Sequence, residues 1–187
     1  MDKIPFPNKR YRIIYADPPW KYSRAVQHGS VGKRVSGWHS LEEKYSTMDE
    51  VALSLLPVKE IAEENCILFL WVTFPFLKVG LRIMENWGFV YKTLGFSWIK
   101  TYKSGKPKFG IGYYTKSNCE VCLIGTRGKP PKVSDKISSV IITEIEAHSK
   151  KPDCVRDKIV ELCGDIPRIE LFARQKVDGW DAWGKGE

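Results

Sequence analysis

The chain has 187 residues and a formal net charge of +8, and 43% of its residues are hydrophobic. This length and apolar content predict one globular domain, residues 1–187, that buries a core of its own. The longest uninterrupted apolar run, Cys66 to Val72, is too short to cross a bilayer, and the first residues lack a signal-peptide core. We therefore expect a cytoplasmic protein without a membrane partner. Its five cysteines, an odd number, favour reduced thiols over a disulfide framework.

The first predicted element is a buried strand at residues 11–16, which ends in the tetrapeptide Asp17-Pro18-Pro19-Trp20. Sheets of α/β proteins place their ligands at the carboxyl ends of strands. Consecutive prolines remove two N–H donors and leave carbonyls that only accept hydrogen bonds. A carboxylate, a carbonyl and an indole suit a planar base with an exocyclic amine, held by two acceptors and stacked on Trp20. The open alternative is a strand followed by a proline-rich turn with a buried tryptophan.

The elements that follow alternate between helices and strands. Residues 21–46 form a polar loop that is long enough to have a function. Thr47 is predicted to cap a short helix that runs to Leu55, with Asp49 and Glu50 in its first turn. The alternation predicts an α/β fold with a mostly parallel sheet covered by helices. The remaining elements are a strand Ile67–Val72, a helix from Phe76 that ends at Gly88, strands Val90–Ile99, 119–125 and Val140–Ile145, a helix opened by Pro152 and a last buried strand Arg168–Arg174.

The positive charge is concentrated in one segment. Between Lys92 and Lys136 there are ten basic and two acidic residues, so this segment alone carries a net charge of +8. A second basic stretch lies between Asp17 and Glu42, and we expect both to flank the site. Their interleaved aromatic residues could stack on bases while the cations contact phosphates. A solvated basic loop with aromatic core anchors is the open alternative.

The last predicted strand contains an acidic residue, Glu170, followed by Phe172 and Arg174 at the spacing of one strand face. A buried carboxylate is costly unless it has a polar partner. A nucleoside ribose at the carboxyl edge of the sheet is one such partner. An internal ion pair between Glu170 and a lysine or arginine is the other, and the sequence leaves both open.

A series of motifs covers nearly the whole chain in an order that resembles the MT-A70-like family of S-adenosylmethionine-dependent adenine methyltransferases. So many matches in order exclude chance. The matching stretches are Asp17–Trp20, Tyr45–Met48, Phe69–Thr73, Trp87–Phe89, Trp98–Lys100, Glu120–Gly128, His148–Asp153, Glu170–Arg174 and Gly179–Gly184.

The resemblance implies a Rossmann-like methyltransferase fold with helices on both faces of the sheet, the catalytic strand first and the cofactor strand last. It implies methyl transfer to the 6-amino group of adenine in nucleic acid, without a metal. DNA is favoured over RNA because the compact chain resembles bacterial and phage members. An inactive nucleic-acid-binding partner subunit and a cytosine-N4 methyltransferase are the alternatives. A homodimer and a heterodimer both stay open.

The resemblance also implies roles for individual residues. The tetrapeptide Asp17 to Trp20 would be catalytic, and Asp17 would contact the methionine end of the cofactor or the adenine amine. Lys151 would bind the cofactor carboxylate, with a cleft beside Asp17 wide enough for an adenosyl group. Lys185 stands where the family usually has asparagine. The substrate base would be bound by Tyr45, Trp71, Lys100 and Glu120, and the adenosine side of the cofactor by Glu170, Phe172, Arg174 and the Gly184 turn.

Overall fold

A computed structural model describes residues 5–21, 48–110, 112, 114–146 and 150–184. Its strands within these ranges form one sheet of seven strands. The strands are β1 (Tyr11–Ala16), β2 (Ala62–Val72), β3 (Val90–Thr101), β4 (Cys119–Arg127), β5 (Val140–Glu144), β6 (Arg168–Leu171) and β7 (Asp181–Trp183). The helices are α1 (Glu50–Ser54), α2 (Val58–Ile61), a 3₁₀ turn (Phe74–Phe76), α3 (Leu77–Asn86) and α4 (Cys154–Cys163).

The strand order is β5-β3-β4-β2-β1-β6-β7. Strands β2, β1, β6 and β7 are parallel neighbours, and β3 is parallel to β5. Strand β4 is antiparallel to both of its neighbours, β2 and β3. The predicted mostly parallel sheet is therefore confirmed. Because β4 is reversed, its first residues lie at the edge where β1 and β2 end.

Helices cover both faces of this sheet, as the resemblance implied. Alternating side chains of β1 and β2 supply two apolar clusters. On the face that we call the α3 face, Ile14 and Leu68 pack with Leu53 of α1 and Ile83 of α3. On the opposite face, the α4 face, residues such as Tyr15 and Phe69 pack with Val155 and Ile159 of α4. None of the helices within the described ranges is long and apolar enough to span a membrane.

The first strand and the helix before Gly88 lie where they were predicted, but the cap of α1 differs. Helix α1 begins at Glu50, and its N-cap is Asp49, whose Oδ1 accepts a hydrogen bond from the Ala52 backbone N–H at 2.8 Å. A short carboxylate three residues before a free N–H is a preferred cap. The predicted cap, Thr47, lies outside the described residues.

The last predicted strand is shorter than expected. Strand β6 ends at Leu171 because Phe172 has a φ of 62°, which interrupts the extended backbone. The chain then turns and returns as β7, a strand that was not predicted. Glu170 lies beside Tyr15 on the α4 face, whereas Phe172 packs against the cluster on the α3 face. The prediction that these two side chains share one face of a strand is therefore wrong.

Candidate active site

Polar side chains from three separate elements meet at the carboxyl edge of the sheet. Asp17 follows β1 directly, Glu120 is the second residue of β4, and Lys151 lies in the segment before α4. The reversed direction of β4 brings Glu120 to the same edge as Asp17. The fold thus brings Asp17 together with two residues that lie more than a hundred positions later in the sequence.

The ammonium of Lys151 is the centre of this cluster. Its Nζ donates to both oxygens of Asp17 at 2.8 Å and lies 3.2 Å from Oε2 of Glu120. The ammonium of Lys100 contacts the other oxygen of Glu120. The side chains of Lys151, Glu120 and Asp17 are 11%, 16% and 19% exposed. The two lysines and two carboxylates therefore alternate in a largely buried row of ion pairs. Such pairing offsets the cost of burying charge.

Burial and pairing act in opposite directions on these groups. Burial raises the pKa of Asp17, and the Lys151 ammonium and the Arg174 guanidinium offset only part of that shift. Burial alone would lower the pKa of Lys151, but Asp17 and Glu120 raise it above its ordinary value. Burial likewise opposes ionisation of Glu120, yet the two lysines hold its pKa below the usual range. Lys151 therefore stays charged, while the pKa of Asp17 is raised and that of Glu120 is lowered relative to their ordinary values.

The wall beneath Lys151 is aromatic. Its Nζ lies 5.6 Å from the centre of the Trp71 ring, and Trp71 Nε1 donates to the hydroxyl of Tyr15 at 2.7 Å. Trp71 is 1% exposed. This burial favours a supporting role for Trp71 over the predicted direct contact with the base.

The indole of Trp20 is also part of the core. Only 8% of Trp20 is exposed, and its ring stacks on Phe76 with the ring centres 5.5 Å apart. Its Nε1 donates to the Trp71 carbonyl at 3.3 Å. The alternative reading of the tetrapeptide, a proline-rich turn with a buried tryptophan, describes this side chain, and the predicted stacking on a base stays a prediction.

Both proline carbonyls of the tetrapeptide already accept one hydrogen bond. The Pro18 carbonyl accepts from the Trp20 backbone N–H and the Pro19 carbonyl from that of Met48, each at 2.9 Å. A carbonyl oxygen has two lone pairs, so Pro18 retains one for a further donor. These bonds fix the turn in place and leave one acceptor of each carbonyl for a ligand.

At the end of β6, Glu170 pairs with an arginine that the sequence reasoning missed. Arg156 Nε and Nη2 donate to the two carboxylate oxygens of Glu170 at 2.7 and 3.1 Å. The internal ion pair that the sequence left open is thus present. Burial raises the pKa of Glu170, and Arg156 offsets part of that shift. The spacing of three residues between Asp153 and Arg156 could have predicted their contact, in which Arg156 Nη1 donates to Asp153 at 2.7 Å. It gave no indication of the pair with Glu170.

The segments after β6 and β7 run against each other. Phe172 meets Trp183 edge to face at 5.4 Å, and the Ala173 backbone N–H donates to the Trp183 carbonyl at 3.1 Å. A Cβ on Gly184, whose φ is 155°, would lie 2.5 Å from both the nitrogen and the oxygen of Ala173. Position 184 therefore requires glycine. Arg174 lies close enough to act electrostatically on Asp17, so β6, β7 and β1 meet at this edge.

The space between Asp17 and Lys151 differs from the predicted cleft. Asp17 and Lys151 contact each other directly, so their ion pair lies where a cleft between them was expected. A groove of about 520 Å³ instead lies alongside α4, and its lining includes Arg156, Gln175 and Trp180.

The predicted substrate residue Tyr45 lies outside the described residues, as do His148 and Lys185. In the described part of the chain, no cluster of three His, Cys, Asp or Glu side chains is placed to hold a metal ion.

The sequence as a whole matches known methyltransferases. The family model described as MT-A70 matches residues 11–186. The chain belongs to the MT-A70 family. A relative from Mycoplasma, the Type II methyltransferase M.MunI, is 35% identical over 188 residues, which cover 95% of this chain and 78% of that protein. Membership makes this chain a methyltransferase.

Eukaryotic MT-A70 relatives match over a smaller part of their length. The human N(6)-adenosine-methyltransferase catalytic subunit METTL3 is 26% identical over 172 residues, 88% of this chain and 26% of that protein. The N(6)-adenosine-methyltransferase MT-A70-like protein of Arabidopsis thaliana is 27% identical over 171 residues, 88% of this chain and 22% of its own length. The chain thus spans about a quarter of these relatives.

In this MT-A70 protein the basic segment is divided between two edges of the sheet. The described residues between β3 and β4, 102–110, 112 and 114–118, lie at the carboxyl edge, where Tyr102 and Phe109 are exposed. Lys92 lies near the start of β3, roughly 26 Å along the strand from Lys100. The expectation that the whole segment flanks the site is therefore wrong. The basic residues of the connection are Lys103, Lys106, Lys108 and Lys116, and those of the opposite edge include Arg127, Lys129, Lys132 and Lys136.

Proposed function

We propose that this methyltransferase transfers the methyl group of S-adenosylmethionine to the 6-amino group of adenine in nucleic acid, with DNA favoured over RNA. The observation that carries the proposal is the position of Asp17, at the carboxyl edge of β1 in a buried cluster of balanced charges. The names of the relatives support methyl transfer to adenosine. The preference for DNA is part of this proposal and rests on the resemblance of the chain to bacterial and phage members.

The residues at the edge fit the cofactor that we propose. The Lys151 ammonium is a partner for a carboxylate such as the one at the methionine end. The absence of a Cβ at Gly184 lets the chain after β7 approach the chain after β6, which shapes the edge beside Asp17 and Arg174. When bound, S-adenosylmethionine supplies an electrophilic methyl group on a positively charged sulfur.

Asp17 and Pro18 would activate the adenine amine. The lone pair of this amine is delocalised into the purine, so the amine is a poor nucleophile. Acceptance of its two N–H bonds by the Asp17 carboxylate and by the second lone pair of the Pro18 carbonyl favours a more pyramidal nitrogen, which can point its lone pair at the methyl group. Asp17, whose pKa is raised by burial, then takes the released proton.

We expect Lys151 to turn from Asp17 towards the cofactor carboxylate when the cofactor binds. In the structure the ammonium occupies both carboxylate oxygens of Asp17. A shift of Lys151 towards the cofactor carboxylate would free Asp17, while Glu120, 3.2 Å away, keeps the buried ammonium paired throughout. The ammonium exchanges one carboxylate for another, so the shift does not strand a buried charge.

The connection between β3 and β4 is the part of the described chain best suited to bind the nucleic acid. Its four lysines can neutralise phosphates, and its exposed rings, Tyr102, Phe109 and Tyr114, can stack on unpaired bases. The target adenine has to leave a duplex to reach Asp17 at the edge of the sheet.

A single domain over residues 1–187 and a cytoplasmic location stay predictions.

A second candidate function is that of a nucleic-acid-binding subunit without activity. The observation that favours it is the occupied carboxylate of Asp17. The intact tetrapeptide favours the enzyme.

Nucleoside mass spectrometry separates the candidates. The chain is incubated with S-adenosylmethionine and matched single- and double-stranded DNA and RNA, and the digested nucleosides are analysed. We expect N6-methyladenine, with the highest yield from DNA. N4-methylcytosine would favour the cytosine enzyme, and nucleic-acid binding without any methylated base would favour the inactive subunit.

A further inference from the structure

Arg156 holds three parts of the chain together. Its guanidinium donates two hydrogen bonds to Glu170 of β6 and one, from Nη1, to Oδ1 of Asp153. The Arg156 and Glu170 side chains are equally and almost fully buried. A planar guanidinium bound in this bidentate way is held in one orientation. Arg156 therefore fixes the start of α4 relative to the end of β6.

The backbone connects Asp153, one of the partners of Arg156, to Lys151 through a single residue. Asp153 follows Lys151 with only Pro152 between them, and proline restricts the backbone there. Asp153 also accepts from Lys150 at 2.5 Å, so two cations hold its carboxylate. A movement of Asp153 would be passed along this short, stiff segment to the Lys151 backbone. This path would link the position of the Lys151 backbone to Arg156.

We propose that Arg156 is a positioning residue that sets Lys151 for the cofactor carboxylate, with Glu170 as its anchor. This inference rests on the proposed function. It assigns Glu170 a role different from the ribose contact expected from the sequence, because both of its oxygens are engaged by Arg156. The effect on the cofactor would be confined to its amino-acid end, which is where Lys151 acts.

Two ligands distinguish a positioning role from a ribose contact. S-adenosylhomocysteine has the adenosine and the amino-acid end, whereas 5′-methylthioadenosine has the adenosine without the carboxylate. We expect Arg156→Leu to weaken binding of S-adenosylhomocysteine about ten- to a hundredfold, the range for a charge-assisted hydrogen bond. Binding of 5′-methylthioadenosine should stay unchanged. Both dissociation constants are measured by calorimetry, directly or by competition.

Two further variants protect the test from loss of folding. The double variant Arg156→Leu/Glu170→Met removes the buried pair without leaving an unpaired charge, so we expect a folded protein that still binds S-adenosylhomocysteine weakly. Arg156→Lys keeps the charge but can no longer bridge Glu170 and Asp153 with a planar fork, so we expect an intermediate affinity. Circular dichroism and thermal unfolding confirm that each variant is folded.

Arg168→Leu is the matched control. Arg168 lies on β6, the strand that carries Glu170, and its side chain is as buried as that of Arg156, but it pairs with Asp165 at the other end of the strand. We expect the control to bind S-adenosylhomocysteine as the wild type does. Equal weakening of both ligands by the Arg156 or Glu170 variants, or unchanged affinity for S-adenosylhomocysteine, would overturn the positioning role. Failure of the wild type to bind S-adenosylhomocysteine would remove the proposed function, and the positioning role with it.

Discussion

The two edges of the sheet carry similar residue types in different surroundings. At the carboxyl edge, Asp17 and Lys151 are 19% and 11% exposed and contact each other. At the opposite edge, Arg168 pairs with Asp165, which is 85% exposed. The exposed carboxylate of Asp165 can move into water at little cost, whereas neither Asp17 nor Lys151 can leave its partner except towards another charge. The comparison indicates that burial and convergence, rather than composition, make the carboxyl edge a site.

A second contrast lies within the carboxyl edge. Lys151 is a compact point charge with two carboxylate partners, Asp17 and Glu120, while Arg156 binds Glu170 through a rigid fork. A lysine ammonium exchanges partners more easily than a bidentate guanidinium. The lysine is therefore suited to change partners during a reaction and the arginine to hold the framework still.

The largest effect is expected from Asp17→Asn. The amide keeps the shape of the side chain but replaces one acceptor with a donor, so it cannot accept both the amine hydrogen bond and the proton. We expect methyl transfer to fall about 10²- to 10³-fold, measured with labelled S-adenosylmethionine. Asp165→Asn at the opposite edge is the control and should retain full activity. A fall of equal size in both variants would contradict a special role for the carboxyl edge.

Replacement of the central ammonium tests the buried charges. Lys151→Met leaves the carboxylates of Asp17 and Glu120 buried without their shared partner, so we expect a loss of about 3–5 kcal/mol in the free energy of unfolding. Denaturant titration measures this change. The exposed Lys129→Met at the opposite edge should change the same free energy by less than about 0.5 kcal/mol. A Lys151 variant as stable as its control would show that the ion pairs seen here do not hold in solution.

How much of this site was predictable differs from residue to residue. Strand β1 was predicted from its apolar run and helix α3 from the helical spacing of its apolar residues, and Gly88 follows the end of α3. Asp17 stood out in the tetrapeptide, but its catalytic role was predicted only from the ordered series of motifs. Strand β7 was missed because its three half-buried residues show no apolar alternation.

Partners were harder to predict than positions. The carboxylate of Glu170 was expected to have a polar partner, but nothing periodic in the sequence pointed to Arg156. Trp20 could face a base or the core, and the choice depended on Phe76, a residue in a distant segment. Such contacts are decided by tertiary packing, which local patterns do not contain.

The divided basic segment gives a third comparison of the two edges. We expect Lys103→Ala/Lys106→Ala/Lys116→Ala to weaken nucleic-acid binding and to reduce the slope of log affinity against log salt by about three. Fluorescence anisotropy over a range of salt concentrations measures both. The control, Lys129→Ala/Lys132→Ala/Lys136→Ala, removes the same charge from the opposite edge and should leave the slope nearly unchanged. Equal slopes for the two triple variants would mean that the nucleic acid does not prefer the carboxyl edge.

The smallest effect concerns pH. Burial alone would lower the pKa of Lys151, but Asp17 and Glu120 raise it above the ordinary value of 10.5. Because the folded-state pKa is the higher one, the stabilisation by Lys151 is complete below pH 10.5 and is lost as the pH rises through the folded-state value.

Lys151→Arg provides the comparison, since arginine stays charged throughout this range. We expect the free energy of unfolding of the wild type to fall more than that of the variant as the pH rises above 10.5. Parallel curves for the two proteins would contradict the raised pKa.

The exchange of partners by Lys151 can be observed directly in a crystal structure with S-adenosylhomocysteine. We expect Lys151 Nζ to bind the ligand carboxylate and at least one oxygen of Asp17 to be free of its present 2.8 Å contact. A bound ligand that leaves both contacts between Lys151 and Asp17 in place would contradict the proposed exchange of partners by Lys151.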